Sequence, residues 1–348
     1  MSLFIGISMS LSHCFRTKDI TPQKIYAHGN RLDVGKEIFP SLREMALSIL
    51  TLHENGFREP HWHPNAHELA YCVEGKALIT IFSAGSSGGH DTFIIQEGEL
   101  AFIPMGFLHH IQNIGKESLR FLICYNSSSP EDINLSSAVG VSPANALSAT
   151  FHLPPSFFEN IHASVAATFI EKSSSPVAVR NEWKTNQFKI DVKGMAPQIK
   201  NPGGAVRLIN QFSFPVLHEL TMYSLELEEK GVREPHWHPN AHELNFLIEG
   251  RAKILLLSPD GSVDSFDMFP GDMSFLPKGY FHYIQSIEGK KARFAIFFNH
   301  VFPSDIGISG ALGAYPNPLL VDLFKTSDSY FDPLPKYQKD VFVVAGGG

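Results

Sequence analysis

A block of twelve residues, Arg-Glu-Pro-His-Trp-His-Pro-Asn-Ala-His-Glu-Leu, runs from Arg58 to Leu69 and returns unchanged from Arg233 to Leu244. The two halves around it have diverged freely, so the fold must use the same unit twice. A glycine follows each copy at the same distance, Gly75 or Gly250, and then comes a second matched block. That block carries Gly98, Pro104, Gly106, His109 and Asn113 in the first half, and Gly271, Pro277, Gly279, His282 and Ser286 in the second. Packing alone gives no reason to preserve the same histidines and glutamate at matched spacing in both halves. Two copies of one site is the reading.

Strand parity supplies the chemistry. Residues i and i+2 of a strand share a face, so His61 and His63 point the same way, as do His236 and His238. Glu68 and Glu243 follow after a gap that permits a turn and a return to the same interior, while His109 and His282 come from a distant strand. Three neutral imidazole nitrogens and one carboxylate oxygen suit Mn, Fe, Co, Ni, Cu or Zn rather than Ca or Mg. The expectation is one divalent transition metal in each half, two per chain.

Arg58 and Arg233 precede the first histidine of each set by three residues, and strict alternation would turn them away from the metal. Pro60 and Pro235 intervene, however, and a proline that removes a ladder hydrogen bond often marks a bulge. With a bulge the guanidinium swings inward, where it could grip a small carboxylate through a bidentate fork. Trp62 and Trp237 have the opposite parity and are expected in packing between barrel and helices. His67 and His242 directly precede the glutamates and are expected to face away from the metal, as supporting or surface groups.

Elsewhere the apolar segments are short, rich in Val, Ile, Phe, Leu and Tyr, and broken by Gly and Pro, as at residues 77–83, 93–96, 100–103 and 119–125. Counterparts stand at 265–268, 273–276 and 292–298. This pattern predicts an all-β chain of antiparallel barrels. Each barrel is followed by a helical segment, 132–151 or 305–324, with Ser142 as N-cap and Pro143 as first helical residue. Ser156 to Glu159 reads as a capping box for another helix. The Ser173-Ser174-Ser175-Pro176 run then divides the chain into an N-terminal domain, 1–172, and a C-terminal domain, 173–348. The tail from Ser327, ending in three glycines, is expected to fray.

A net charge of −7 provides no basic field for nucleic acid. Three cysteines form no disulfide framework, which favours a reducing compartment such as the cytoplasm. Residues 1–12 lack the positive start of a signal peptide, and no apolar run reaches spanning length, so no membrane partner is expected.

The motif His-x-His-x4-Glu-x6-Gly, followed by Gly-x5-Pro-x-Gly-x2-His-x3-Asn, resembles the paired signature of the cupin superfamily, and its duplication resembles a bicupin. The resemblance implies two double-stranded β-helix, or jelly-roll, barrels with short flanking helices, at roughly residues 40–150 and 215–325. The stretch from Arg58 to Glu68 is most similar to the oxalate decarboxylase branch, in which the arginine lies near the substrate. That likeness implies manganese, a redox route using dioxygen, and conversion of a small carboxylate, oxalate, to formate and carbon dioxide. It also implies a glutamate acid on a loop just after the last barrel strand. The matching loop reads Ser127-Ser128-Ser129-Pro130-Glu131-Asp132, so Glu131 is the expected acid, with Arg58 and Arg233 as carboxylate anchors. The second half has no glutamate between Val301 and Asp305, which favours the first as catalytic, and the intact Asn113 leans the same way. An oxalate oxidase, a dioxygenase and a metal-containing binding or storage bicupin stay open as alternatives. A homo-oligomer, trimer or hexamer, built through the post-barrel helices is implied as well.

Overall fold

In the structure, a computed structural model, the described residues are 13–84, 89–159, 161, 169–175, 177, 180–337 and 340–347. Residues 1–12, where no signal peptide was expected, lie outside them. Two β-barrels, each made of two facing sheets, account for most of the chain, with only short helices between and after them. The all-β jelly-roll expectation holds.

The first barrel faces a seven-stranded sheet with a six-stranded one. The seven-stranded sheet has Glu68–Glu74 and Leu119–Tyr125 near its centre; the six-stranded sheet has Gly56–Trp62 beside Leu108–Asn113. The second barrel repeats the plan with Glu243–Glu249, Ala292–Phe298, Gly231–Trp237 and Phe281–Ser286.

The near-continuous apolar run of Leu119–Tyr125 follows from burial on both faces. Leu119, Phe121, Ile123 and Tyr125 fill the first barrel, while Leu122 and Cys124 join a core that lies between the barrels. Ala292–Phe298 does the same, with Phe294, Ile296 and Phe298 inside its barrel and Ala295 and Phe297 in the shared core. The shared core also takes Leu69, Tyr71 and Phe102 from one side and Leu244, Phe246 and Phe275 from the other. Alternation along one strand thus builds a barrel interior and the barrel–barrel contact together.

Hydrogen bonding crosses the division at 172/173. Cys14–Arg16 pairs with Asp272–Leu276 of the second barrel, and Lys189–Asp191, its counterpart in the second repeat, pairs with Glu99–Ile103 of the first. Each half therefore lends its leading strand to the other. Ile170–Lys172 and Val343–Ala345 return to lie beside Gly56–Trp62 and Gly231–Trp237. The tail is thus anchored close to its end, where fraying was expected.

Each helical segment is two short helices. Leu135–Val141 is followed by Ala144–Phe151, and Ile308–Ala314 by Asn317–Phe324. Ser142 is not an N-cap: it closes the first helix, its hydroxyl donating to the Ala138 carbonyl, and Pro143 caps the second. Ser156 likewise lies inside the helix Pro155–Glu159 rather than ahead of it. Val141, Phe151 and Phe157 are exposed on these helices, as are Leu319, Leu323 and Phe324 on their counterparts. Among the described residues no helix is long and apolar enough to cross a membrane.

Candidate metal centres

The repeated block crosses from one sheet to the other. Its first residues belong to Gly56–Trp62; after the turn at Pro64, Glu68 begins a strand of the opposite sheet. His61 stands opposite His109 in the neighbouring strand, and Arg58 opposite Ile111. Glu59 and Pro60 therefore face His110 alone, two residues against one, which is a β-bulge. It returns Arg58 to the face that carries His61. The second barrel has the same irregularity between Arg233 and His236.

His61, His63, Glu68 and His109 form one buried group and His236, His238, Glu243 and His282 another, with the ligand atoms of each group within 4.8 Å of one another. In the first, His63 Nε2 lies 2.9 Å and His109 Nε2 3.3 Å from Glu68 Oε2. In the second, the corresponding distances from His238 and His282 to Glu243 are 2.8 and 3.3 Å.

All six imidazoles are oriented by backbone carbonyls. The Nδ1 atoms of His61, His63 and His109 donate to Glu59, Glu131 and Phe107 at 2.8, 2.9 and 3.0 Å. Those of His236, His238 and His282 donate to Glu234, Ser304 and Tyr280 at 2.6, 2.7 and 2.8 Å. With Nδ1 protonated, the Nε2 lone pair is left for a metal. Gly106 and Gly279, at φ of 79° and 80°, donate their N–H to the carbonyls of His63 and His238 and tie the second motif to the first.

Electrostatics agree with a cation. Burial would raise the pKa of Glu68 and Glu243, but the adjoining histidines reverse this and hold both well below the ordinary carboxylate range. Burial and the nearby arginine keep His61 and His236 well below the ordinary imidazole value, hence neutral. His63 runs the other way: burial lowers it, but hydrogen bonds to Asp132 and Glu68 push it up to about 9. Glu68 Oε1 and Glu243 Oε1 are buried with no hydrogen-bond partner among the described residues. A divalent ion in this three-nitrogen, one-oxygen set would satisfy them.

Arg58 is 1% exposed, and its guanidinium lies 3.6 Å over the Phe169 ring. It reaches the Glu59 and Phe169 carbonyls and Asp132 Oδ2, each at 3.4 Å, and its buried Nε has no partner. Burial pulls its pKa down to about 10, so it stays cationic at neutral pH. Arg233 stacks at 3.5 Å on Phe342 and pairs with Asp305.

Glu131, the expected acid, has its side chain exposed at the rim of an outer chamber of about 790 Å³, and its backbone carbonyl is what meets His63. The carboxylate that reaches inward from this loop is that of Asp132. It lies 2.9 Å from Arg31 Nη1, 3.4 Å from Arg58 Nη2 and 2.9 Å from His63 Nδ1. Asn113 holds a turn and touches no metal ligand: its amide donates to the Leu52, His53 and Glu117 carbonyls, where Ser286 of the second half reaches the Glu228 carbonyl. His67 and His242 accept the backbone N–H of Met105 and Lys278, facing away from the metal groups as expected. Trp62 and Trp237 are half-buried on the other face of their strands.

Sequence reasoning missed the groups that hold the arginines. Glu59 accepts the Phe169 N–H and Glu234 that of Phe342, fixing the two rings under the guanidinium groups. The repeat carried that signal, since both glutamates lie in the duplicated block and both phenylalanines open the returning strands. Arg31 had none, because the second half places Val206 at its register.

These features define a two-barrel protein with one mixed histidine–glutamate metal centre in each barrel. The chain belongs to the cupin family, whose model matches residues 20–156 and again 189–322. It is similar to oxalate decarboxylase of Bacillus subtilis (strain 168), 24% identical over 329 residues that span 90% of this chain and 84% of that protein. Oxalate decarboxylase of Arthroderma benhamiae (strain ATCC MYA-4681 / CBS 112371) is 23% identical over 328 residues, 85% of this chain and 76% of the other. A solved structure of the Bacillus subtilis enzyme at pH 4.6 superposes with a TM-score of 0.84 at 23% identity, covering 97% of this chain and 88% of that one. The protein is thus an oxalate decarboxylase-like bicupin with two metal-binding sites.

Proposed function

We propose that this protein is a manganese-dependent decarboxylase that converts oxalate and one proton to formate and carbon dioxide. The observation that carries the reading is Arg58, a buried cation that the bulge sets into the same small cavity as His61 and Glu68. A guanidinium with an unpaired N–H next to a metal-binding group is suited to a small carboxylate. Leu50, Ile111 and Ile123, all buried, form the apolar part of the cavity wall. Bound manganese would supply Lewis acidity and, with dioxygen, the redox chemistry that cleaves the carbon–carbon bond. Manganese is favoured because the structurally similar Bacillus subtilis oxalate decarboxylase has Mn(II) centres, while Fe, Ni, Co, Cu and Zn fit the same donors.

Glu131 is assigned as the proton source. Asp132, clasped by Arg31, Arg58 and His63, has its carboxyl held well below the ordinary range and is a poor acid, whereas Glu131 hangs free at the chamber rim. Replacing Glu131 with Gln should abolish formate production while metal stays bound, because the amide keeps the shape and cannot deliver a proton. Full formate production by this variant would remove Glu131 from the mechanism. Manganese-loaded protein that made neither formate nor peroxide from oxalate would sink the whole reading.

One observation favours an oxidase instead: the Glu131 carboxylate does not line the inner cavity in this conformation, and without a proton donor the carbon fragment is oxidised rather than protonated. Peroxide without formate is the signature that separates the two. Arg233 lines the cavity of the second centre together with His238 and Glu243 and is the corresponding carboxylate anchor there. We also propose a homo-oligomer, trimer or hexamer, joined through the exposed apolar residues of the short helices, and a reducing, cytoplasmic setting consistent with three cysteines that form no disulfide. Light scattering at micromolar concentration should give a mass several times that of one chain; a monomer mass contradicts the assembly.

A further inference from the structure

The two barrels share their metal ligands but not their cavity walls. Tyr125 ends the strand Leu119–Tyr125 opposite Glu68, and Phe298 occupies the same register opposite Glu243. The rings are placed alike: Tyr125 meets His63 at 5.0 Å and 71°, and Phe298 meets His238 at 4.9 Å and 72°. The difference at this position is a single oxygen. Tyr125 is 0% exposed, and its hydroxyl has no hydrogen-bond partner among the described residues. A buried hydroxyl left unpaired is unfavourable, and phenylalanine fits the same space without it, so packing gives no account of the oxygen.

The surroundings indicate what would. Tyr125, Arg31 and Arg58 line the same inner cavity as His61 and Glu68. Two buried donors there, the Tyr125 O–H and the Arg58 Nε–H, are without an acceptor. Arg31 also lines the outer chamber, so it stands on the wall between the two spaces. At its register the second barrel has Val206. That barrel does place a phenol in its cavity, Tyr223, but on another strand, where the first barrel has Ser48.

We infer that Tyr125 is a substrate-binding residue, donating a hydrogen bond to an oxygen of a carboxylate that Arg58 anchors, and that Tyr125 with Arg31 makes the first barrel the dicarboxylate site. The inference rests on the decarboxylase reading and deepens it. Two donors beside one metal-binding group match the several oxygens of a dicarboxylate, and at the matching registers the second barrel has neither the Tyr125 oxygen nor the Arg31 charge.

The test compares manganese-loaded wild type with Tyr125→Phe, a change that copies the second barrel's own residue and so does not threaten folding. Oxalate binding is followed by titration calorimetry with dioxygen excluded, alongside metal analysis and thermal melting. The variant should keep two metal ions per chain and an undiminished melting midpoint, while the oxalate dissociation constant rises on the order of tenfold. An unchanged dissociation constant overturns the role of Tyr125 and leaves the decarboxylase reading standing. Failure of oxalate to bind the wild type removes both.

Discussion

Changing His61 and His63 together to alanine should leave one tightly bound metal ion per chain instead of two. The two ligand groups share no residue, and each is assembled on the sheets of its own barrel. Removing two of four donors from the first leaves Glu68 and His109, too few to hold a divalent ion tightly at neutral pH. The second group keeps its carbonyl-oriented imidazoles, so its ion remains. Elemental analysis after exhaustive dialysis reads the result directly, and the mirror variant, His236 and His238 to alanine, should give the same count by emptying the other barrel. Two ions retained in either variant would show that the ligand sets are misassigned.

Asp132→Ala should be the most destabilising single change outside the ligands, by about 3–5 kcal/mol, because it strips the shared counter-charge from two buried cations. Arg31 and Arg58 are 4% and 1% exposed, and both reach Asp132 Oδ2. The pH dependence has a definite sign. Burial pushes the Asp132 carboxyl up, but Arg31 and the His63 hydrogen bond overcome this and set its folded pKa below the ordinary value of about 3.9. Its contribution is therefore fully present above that value and is lost as the pH falls through the lower, folded one. Chemical denaturation at neutral pH should show a large gap between wild type and variant, and the gap should narrow in strong acid. Asp305→Ala should cost less, since only Arg233 of the paired arginines faces it and no cation stands at the Arg31 position. Equal losses from the two substitutions would show that Arg31 contributes nothing to the clasp.

The gathering of the two histidine–glutamate groups was legible in the sequence because the physics that places them is local. Parity fixes His61 with His63, the turn at Pro64 returns Glu68, and duplication supplies an internal control for each spacing. The inward turn of Arg58 was legible for the same reason, through Pro60. Legibility failed where a partner comes from far along the chain. Phe169 reaches Arg58 only because the segment after the helices folds back onto Gly56–Trp62, and no local pattern announces a three-residue returning strand. The acid candidate shows a different limit. Glu131 and Asp132 are adjacent and chemically alike, and only the loop's path decides that Asp132 turns toward the arginines while Glu131 stays at the rim. The helix caps were misplaced by one or two residues at Ser142 and Ser156, where a serine beside a proline satisfies the signals for both ends of a helix.

The exchanged leading strands govern the order in which the molecule can close. Cys14–Arg16 is the first described strand to leave the ribosome, yet its partner, Asp272–Leu276, is made more than 250 residues later. The first barrel must wait as well, because Lys189–Asp191 belongs to the next repeat. A nascent first half therefore has an open sheet edge at Glu99–Ile103, and a finished second half has one at Asp272–Leu276 until the amino-terminal segment docks. Exposed edges of this kind invite pairing with other chains. The gene duplication thus produced two halves that mature as one object, each acting as the last closing piece of the other.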